Sequence, residues 1–163
     1  MAAGKSSVAQ ALAERLAKSV HLRGDLFRRL IVAGRAEMGY ELTDEALAQL
    51  NLRYDIAVQV AKMYLAAGFT VVYQDIILGE TLAQIVDKMQ PAPLHVVVLC
   101  PNADAIKARE LGRGKRGYGN LAEIAQFDRV LREETPRLGL WLDTSNLTVD
   151  ETVDRILAHL AAC

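Results

Sequence analysis

Two short apolar runs set the limits on what this chain can fold into. Phe69–Tyr73 (FTVVY) and Leu94–Leu99 (LHVVVL) are rich in β-branched side chains and almost free of polar alternation. Such runs predict strands that are buried on both faces, as in a parallel sheet covered by helices. Amphipathic stretches separate them from two further strand candidates, Val20–Leu22 and Gly139–Leu142. The order of strands and helices therefore predicts an α/β fold with a parallel sheet and helices on both faces.

Helix signals lie between and after these strands. The segment Leu26–Met38 predicts a helix, and a longer helix begins near Thr43 and ends before Gly68, which stands where a C′ glycine belongs. Thr148 and Glu151 predict a capping box at the start of the last helix.

The size and charge of the chain limit the classes of function. Its 163 residues are 52% hydrophobic, which is enough for one core, and they predict a single domain over residues 1–163. The 19 Lys and Arg residues nearly balance the 20 Asp and Glu residues, so no overall field favours a long polyanion. This balance argues against nucleic acid as the main partner and leaves a small phosphate-bearing ligand open.

The sequence contains no segment that predicts export or membrane insertion. The longest apolar run, Leu94–Cys100, is far too short to span a bilayer. The Ala-rich N-terminal stretch does not have the pattern of a signal peptide, and the cysteines, Cys100 and Cys163, do not make a disulfide framework. We therefore expect a cytoplasmic protein with no membrane partner, as a monomer or a homodimer.

A glycine-lysine-serine sequence opens the first predicted helix. Gly4–Ser7 (GKSS) precedes Val8, Leu12 and Leu16, whose spacing predicts one apolar helix face. The sequence matches the second half of the phosphate-binding pattern G-x-x-x-x-G-K-[ST]. In that pattern backbone N–H groups cradle the phosphates, the lysine reaches the β- and γ-phosphates, and the hydroxyl binds Mg²⁺. The alternative is an ordinary helix start with a serine cap.

The first half of that pattern is missing. Met1 falls at its third position, so neither the first glycine nor the strand that normally precedes it is present. We expect that the natural protein begins upstream of Met1 and that the sheet lacks its first strand in this numbering.

Acidic residues stand at the ends of predicted strands, namely Asp25, Asp75 and Asp143. Ligands of parallel sheets bind beyond these carboxyl ends. In phosphoryl transfer to a hydroxyl, a carboxylate orients or deprotonates the attacking group, and Asp25 is the best candidate, with a helix N-cap as the alternative. Asp75 is the candidate carboxylate of the magnesium shell, with an ordinary turn aspartate as the alternative.

A basic, glycine-containing segment is the candidate lid. Residues 109–120 include Arg109, Arg113, Lys115 and Arg116. Glycines between these cations predict a segment that moves, so that the cations close over the transferring phosphoryl group and exclude water. The alternative is a basic loop that simply faces solvent.

Two further sets of basic or aromatic residues are each compatible with two roles, one in substrate binding and one in the structure of the protein. Arg23, Arg28 and Arg29 cluster around the first acidic strand end, and they fit either an anionic substrate or a charged surface. Arg53 and Tyr54 lie within a long predicted helix and are candidates for the acceptor pocket. Tyr54 falls on the apolar stripe of that helix, which favours a core position.

Taken together, the segments GKSSVAQALAERL, RGDLFRRL, GFTVVYQDIILG and DTSNLTVDET, with the arginine-rich loop, resemble the small P-loop kinases. The likeness is strongest to chloramphenicol phosphotransferase and related AAA-type phosphotransferases, and weaker to gluconate kinase, shikimate kinase and zeta toxin. It covers nearly all of the chain and depends on motif order and spacing. It implies a three-layer P-loop NTPase fold of the nucleoside-kinase type, with ATP and Mg²⁺ as cofactors.

The resemblance also implies a role for each matching residue. Lys5 corresponds to the phosphate-binding lysine and Asp25 to the catalytic aspartate. Ser6 and Asp75 correspond to the metal-binding positions. The implied catalytic set is Asp25, Lys5, Arg109, Arg113 and Arg116, and the implied ATP-binding set is Gly4, Lys5, Ser6, Ser7, Thr144 and Asn146.

These observations predict an ATP-dependent phosphotransferase that acts on a hydroxyl group of a small molecule. One alternative is a kinase of a nucleotide or nucleotide sugar, as in zeta toxins. Another is an ATP-binding protein without transfer activity, which the incomplete phosphate-binding pattern favours. The sequence does not distinguish an antibiotic from a sugar or a cell-wall precursor as the acceptor.

Overall fold

The computed structural model describes residues 3–38, 43–111 and 121–162. The helices are α1 (Lys5–Glu14), α2 (Asp25–Arg29), α3 (Asp44–Ala66), α4 (Thr81–Met89), α5 (Ala103–Leu111), α6 (Leu121–Arg129) and α7 (Val149–Ala161), and α6 continues into a π-helical turn, Val130–Glu134. The strands are β1 (Ser19–Arg23), β2 (Thr70–Gln74), β3 (Val97–Leu99) and β4 (Leu140–Leu142). No described helix combines the length and the apolar character that crossing a membrane requires.

The described strands form two parallel pairs. β1 pairs with β2 in a register that runs from Ser19 opposite Thr70 to Arg23 opposite Gln74. β3 pairs with β4 over a shorter register centred on Val98 opposite Trp141. Helices make the crossover between the strands of each pair, as parallel pairing demands. The predicted α/β class with parallel strands is confirmed.

The chain divides into two compact units. The continuous unit consists of Leu12–Asp75 and contains the β1–β2 pair. The split unit consists of Met1–Ala11 together with Ile76–Cys163 and contains the β3–β4 pair. Helix α1 begins in the split unit and ends in the continuous one.

The core of the continuous unit is built on α3, which packs against β1 and β2. Small side chains on one face of this helix, Ala57 and Ala61, are fully buried and let the helix backbone approach the strands closely. Thr43 caps the helix by accepting a hydrogen bond from the Ala46 N–H at 3.1 Å. Gly68, at φ +78°, ends it in the left-handed conformation that glycine adopts without strain.

The core of the split unit includes the apolar faces of α4 and α7. Ile85 on α4 and Val153 and Ile156 on α7 are buried. The predicted capping box of α7 is confirmed: Thr148 accepts from the Glu151 N–H, and the Glu151 carboxylate accepts from the Thr148 N–H.

One predicted helix is much shorter than its apolar pattern suggested. The prediction was a helix from Leu26 to Met38, whereas α2 ends at Arg29. Gln49 of α3 binds the backbone that follows: its amide donates to the Gly34 carbonyl at 2.8 Å and accepts from the Ala36 N–H at 2.9 Å. The prediction was wrong because these backbone groups find their partners on α3 instead of within a helix of their own.

Candidate active site

The start of α1 provides the candidate phosphate-binding groups. Gly4 has φ +84°, and its carbonyl accepts from the Val8 N–H at 3.0 Å, so the helix begins immediately after it. The first turn of α1 contains no acidic residue. Its N–H groups and dipole therefore favour an anion, and the half-buried Lys5 and Ser6 add an ammonium and a hydroxyl. Ser7, in the same turn, is exposed. The ammonium and N–H groups fit phosphate oxygens, and the Ser6 hydroxyl fits a ligand of Mg²⁺.

Asp25 follows β1 and is the first residue of α2. Its Oδ2 accepts a hydrogen bond from Arg29, and its Oδ1 lies 3.7 Å from Nε of Arg23. The side chain is 35% exposed, and Oδ1 makes no hydrogen bond to any described group. The N-cap of α2 is Gly24, without a side-chain cap bond, so Asp25 does not have the alternative capping role. The result is a partly exposed carboxylate whose Oδ2 is bound by Arg29, while Oδ1 is buried near Arg23 and makes no hydrogen bond to a described group.

Asp75 follows β2 and is deeply buried, with 2% of its side chain exposed. Its Oδ1 lies 2.9 Å from Nη2 of Arg53, whose side chain is 12% exposed. The Tyr73 hydroxyl donates to its Oδ2 at 3.2 Å. Charged side chains are rarely this buried unless they are paired, and here the pair is complete.

Gly24 lies against the Asp75 carboxylate. A Cβ added to Gly24 would stand 2.0 Å from Oδ2 of Asp75 and 3.1 Å from the Tyr73 ring. The Gly24 N–H donates to the Gln74 carbonyl at 3.1 Å, which continues the β1–β2 pairing into the turn. The glycine is required here for space and not for its backbone angle, because its φ is −62°.

Two tyrosines around the ion pair stay protonated at ordinary pH. Burial raises the pKa of Tyr73, and the neighbouring Asp75 charge raises it further. Burial likewise raises the pKa of Tyr54, against an opposing effect of Arg53. The Arg53 guanidinium lies 5.0 Å from the centre of the Tyr54 ring. Tyr54 is buried, as its place on the apolar stripe predicted.

In the split unit, hydrogen bonds from Arg109 and from the Asn102 backbone hold the loop between β4 and α7. Arg109 of α5 donates to the Thr144 carbonyl at 2.5 Å and to the Ser145 carbonyl at 3.5 Å. The Ser145 hydroxyl accepts from the Asn102 N–H at 2.8 Å and donates to Asp143. The hydrogen bonds from the Ser145 hydroxyl and backbone N–H hold the pKa of Asp143 below its usual value.

A hollow of about 290 Å³ lies beside this loop. It is lined by Asp143, Ser145, Asn146, Leu147 and Arg155. Asn146, a predicted nucleotide contact, therefore faces a cavity. Thr144, the other predicted contact in the loop, is buried, and its hydroxyl has no partner among the described residues.

Part of the predicted lid lies outside the described residues. Arg113 and Arg116, together with the rest of 112–120, belong to that part. Arg109 lies at the described end of the segment, where it holds the β4–α7 loop. The lid therefore stays a prediction.

Sequence patterns found the acidic positions but missed what surrounds Asp75. The structure brings Gly24, Arg53, Tyr73 and Asp75 together in the continuous unit. Within the split unit it brings Arg109 to Thr144, while Gly4–Ser7 stand at the start of α1. Arg53 was a candidate for the acceptor pocket, and one signal could have revealed its ion pair: a charged residue beside an aromatic one on the apolar side of a long helix needs a buried counter-charge.

The carboxylates that the structure describes do not gather into a metal site of their own. Among residues 3–38, 43–111 and 121–162, no group of three or more His, Cys, Asp or Glu side chains could hold a metal ion. Magnesium in phosphotransfer sites is often held by one or two protein oxygens together with substrate phosphates. The Ser6 hydroxyl fits such an arrangement, and the predicted part of Asp75 in the metal shell stays a prediction.

Solved structures of other proteins share this fold, a sugar kinase among them. Deinococcus radiodurans tunicamycin resistance protein superposes with a TM-score of 0.66 at 19% identity, over 97% of this chain and 89% of that one. A sugar kinase from a Janibacter species superposes with a TM-score of 0.71 at 21% identity, over 98% of this chain and 89% of that one. At these identities the likeness establishes the fold alone.

The sequence matches the chloramphenicol phosphotransferase-like family over residues 1–161. The chain belongs to this family, which places it among phosphotransferases of small molecules. No curated protein matches it significantly.

Proposed function

We propose that this chain transfers the γ-phosphoryl group of ATP to a hydroxyl group of a small molecule, with Mg²⁺ as cofactor. The observation that carries the proposal is Asp25. In a chain of a phosphotransferase family, it is a partly exposed carboxylate at the carboxyl end of a parallel strand, with one oxygen free of hydrogen bonds to described groups. Such a group suits proton removal from an alcohol.

The donor side of the reaction would use the start of α1 and the loop after β4. Lys5 would bind phosphate oxygens, and the N–H groups of the first turn would add hydrogen bonds. The Ser6 hydroxyl would hold Mg²⁺, which when bound neutralises charge on the phosphates. Thr144 and Asn146 would contact the nucleotide base, and the hollow beside Asn146 supports this assignment.

The acceptor side would use Asp25. Arg29 holds Oδ2 of the carboxylate, and Oδ1, which makes no hydrogen bond to a described group, would take the proton of the acceptor hydroxyl. As the acceptor oxygen bonds to the γ-phosphorus, its proton passes to Asp25. The bond between that phosphorus and the bridging oxygen breaks, and ADP leaves with the bonding electrons. We assign Arg109, Arg113 and Arg116 to stabilisation of the transferring group, which for Arg109 requires release of the carbonyls that it now binds.

The cations around Asp25 favour a second candidate, a kinase of a nucleotide or a nucleotide sugar. Arg23 lies against Oδ1 of Asp25 and Arg29 against Oδ2, and the Arg29 side chain is 60% exposed. An acceptor with its own phosphate would find a partner there. We retain the cytoplasm as the predicted compartment and a monomer or homodimer as the predicted state.

The test is acceptor-dependent ADP formation by the full chain with ATP and Mg²⁺. The acceptor panel should contain neutral alcohols, sugars and nucleotide sugars, with the phosphorylated product identified by ³¹P NMR. We expect product from wild type and a loss of kcat of about 10²- to 10⁴-fold in Asp25→Asn. Asp44→Asn, which alters an exposed aspartate in the first turn of α3, is the matched control and should retain activity. ATP binding without transfer to any acceptor, or full activity in Asp25→Asn, would overturn the proposal.

A further inference from the structure

The buried carboxylate of Asp75 touches the turn that carries Asp25. Oδ2 of Asp75 occupies the space where a Cβ of Gly24 would lie, 2.0 Å from that position. Gly24 is also bonded through its N–H to the Gln74 carbonyl at 3.1 Å. Since Asp25 is the next residue, a shift of Gly24 moves Asp25 with it.

We propose that Asp75 is a positioning residue, which together with Arg53 fixes the β1–α2 turn and so holds Asp25 at the angle that acceptor deprotonation needs. The inference rests on the proposed role of Asp25. It assigns to Asp75 a function different from the metal ligation that its place after β2 predicts.

Three elements surround the Asp75 carboxylate, and their contacts with it are called the clamp. Arg53 comes from α3 and reaches Oδ1 at 2.9 Å, while Tyr73 comes from β2 and reaches Oδ2 at 3.2 Å. The third element is the β1–α2 turn, whose glycine packs on the same carboxylate. With both oxygens engaged and 2% of the side chain exposed, Asp75 has no freedom to follow a ligand.

The charges argue against a metal on the same oxygens. Arg53 already neutralises Asp75 at contact distance in a buried setting. A divalent cation added there would leave a net positive charge in a region of low dielectric, beside the guanidinium. Loss of the Asp75 charge would instead leave Arg53 buried without its counter-charge, so the ion pair that supports the turn would be lost.

The experiment measures kcat, the KM for the acceptor and the Mg²⁺ concentration at half-maximal rate in the full chain. In Asp75→Asn we expect kcat to fall about 100-fold, the size of effect that a misplacement of about 1 Å produces, with the Mg²⁺ half-saturation within twofold of wild type. Arg53→Lys and Gly24→Ala should reproduce this pattern, because each disturbs the same clamp while the carboxyl group of Asp75 is retained. Asp44→Asn is the control.

The kcat of a double variant of Asp25 and Asp75 distinguishes a positioning role of Asp75 from a general loss of stability. If Asp75 acts through Asp25, Asp75→Asn should lower kcat little further in an Asp25→Asn background. An independent metal ligand would give a further loss close to its full single-variant effect. Should Asp75→Asn fail to fold, Arg53→Lys and Gly24→Ala carry the same test.

A tenfold or larger rise in the Mg²⁺ requirement of Asp75→Asn, with activity restored by excess Mg²⁺, would overturn the inference in favour of metal ligation. An unchanged kcat in a folded Asp75→Asn would overturn it as well. These results are separable from failure of the proposed function, which shows as inactive wild type or as fully active Asp25→Asn, and which overturns both.

Discussion

The arginines at the ends of the two parallel strand pairs bind different kinds of partner. At the end of the β1–β2 pair, arginines bind carboxylates: Arg53 binds Asp75, and Arg29 binds Asp25. At the end of the β3–β4 pair, arginines bind backbone carbonyls. There Arg132 reaches the Cys100 and Pro101 carbonyls at 3.4 and 3.3 Å, and Arg109 reaches the Thr144 carbonyl.

The difference separates two uses of a charged side chain. An arginine on a buried carboxylate makes a neutral unit, whose members stabilise the fold only as a pair. An arginine on a carbonyl sets the shape of a loop, and the carbonyl neutralises none of its positive charge. Arg109 binds carbonyls in this way, whereas Arg132 is also paired with Asp128. The β1–β2 end is therefore suited to holding a carboxylate in place, and the β3–β4 end to shaping a loop.

The largest expected effect on stability comes from a variant that breaks the neutral pair of Arg53 and Asp75. Arg53→Met leaves the Asp75 carboxylate buried without its counter-charge, and we expect a loss of about 3–5 kcal/mol in the free energy of unfolding. The matched change at the other strand pair is Arg132→Met, in which the partly exposed ion pair with Asp128 and the long carbonyl contacts are lost. There we expect about 1 kcal/mol. Urea unfolding of both variants checks the difference, and equal losses would show that the two strand ends do not differ in this way.

A second comparison uses one glycine next to each strand pair, Gly24 after β1 and Gly139 before β4. A Cβ on Gly139, just before β4, would stand 2.2 Å from the Val96 carbonyl oxygen, and the residue has φ +67°. Backbone cannot move aside as a side chain can, so Gly139→Ala should cost about 3 kcal/mol, from the left-handed backbone and the overpacking together.

Gly24→Ala should cost less stability, about 1–2 kcal/mol, because its φ is already helical and only the crowding against the Asp75 carboxylate remains. Its larger effect should be on kcat. Denaturant melts and steady-state rates of the two variants measure both quantities. A Gly24→Ala protein that is less stable than Gly139→Ala and still fully active would reverse the comparison.

Helix caps give a smaller effect in each unit. Thr148 takes part in a two-way capping box with Glu151, whereas Thr43 makes a single bond to the Ala46 N–H. We expect Thr148→Ala to cost about 1.5 kcal/mol and Thr43→Ala about 1 kcal/mol. Thermal or urea unfolding measures both, with Thr→Ser at each position as the control that keeps the hydroxyl.

The smallest effect concerns pH and the charges at the end of β1. Burial lowers the pKa of His21 below 6.5, and the positive charge of Arg23 adds to this, against opposing effects of Gln74 and Asp25. The unfolded chain therefore takes up a proton at higher pH than the folded chain does. Stability is full above about pH 6.5 and falls as pH drops below it.

Because His21 is only partly buried, this loss should stay well under about 1 kcal/mol. Urea unfolding at pH 8 and pH 5.5, in wild type and His21→Gln, checks it. The variant should lose less stability than wild type over this interval, and a larger loss in the variant would contradict the sign.

Sequence patterns predicted correctly those elements that depend only on residues close by in the chain. The cap at Thr148, the glycine after α3 and the apolar run before Asp75 each depend on neighbours within a few residues, and each is present. The prediction for Leu26–Met38 was wrong because its outcome depends on Gln49, a residue on another helix that binds the Gly34 and Ala36 backbone. No pattern within that segment contains this information.

The sequence by itself determined the α/β class, the parallel strands and the acidic residues at their ends, because apolar runs and strand-end positions are properties of the chain read in order. Only the tertiary structure decided that Asp75 pairs with Arg53, that Gly24 leaves the space for that carboxylate, and that Arg109 binds a loop carbonyl. Each of these depends on burial and on contacts between distant segments. A buried charge takes whichever partner the packing brings within about 3 Å, and sequence spacing does not carry that distance.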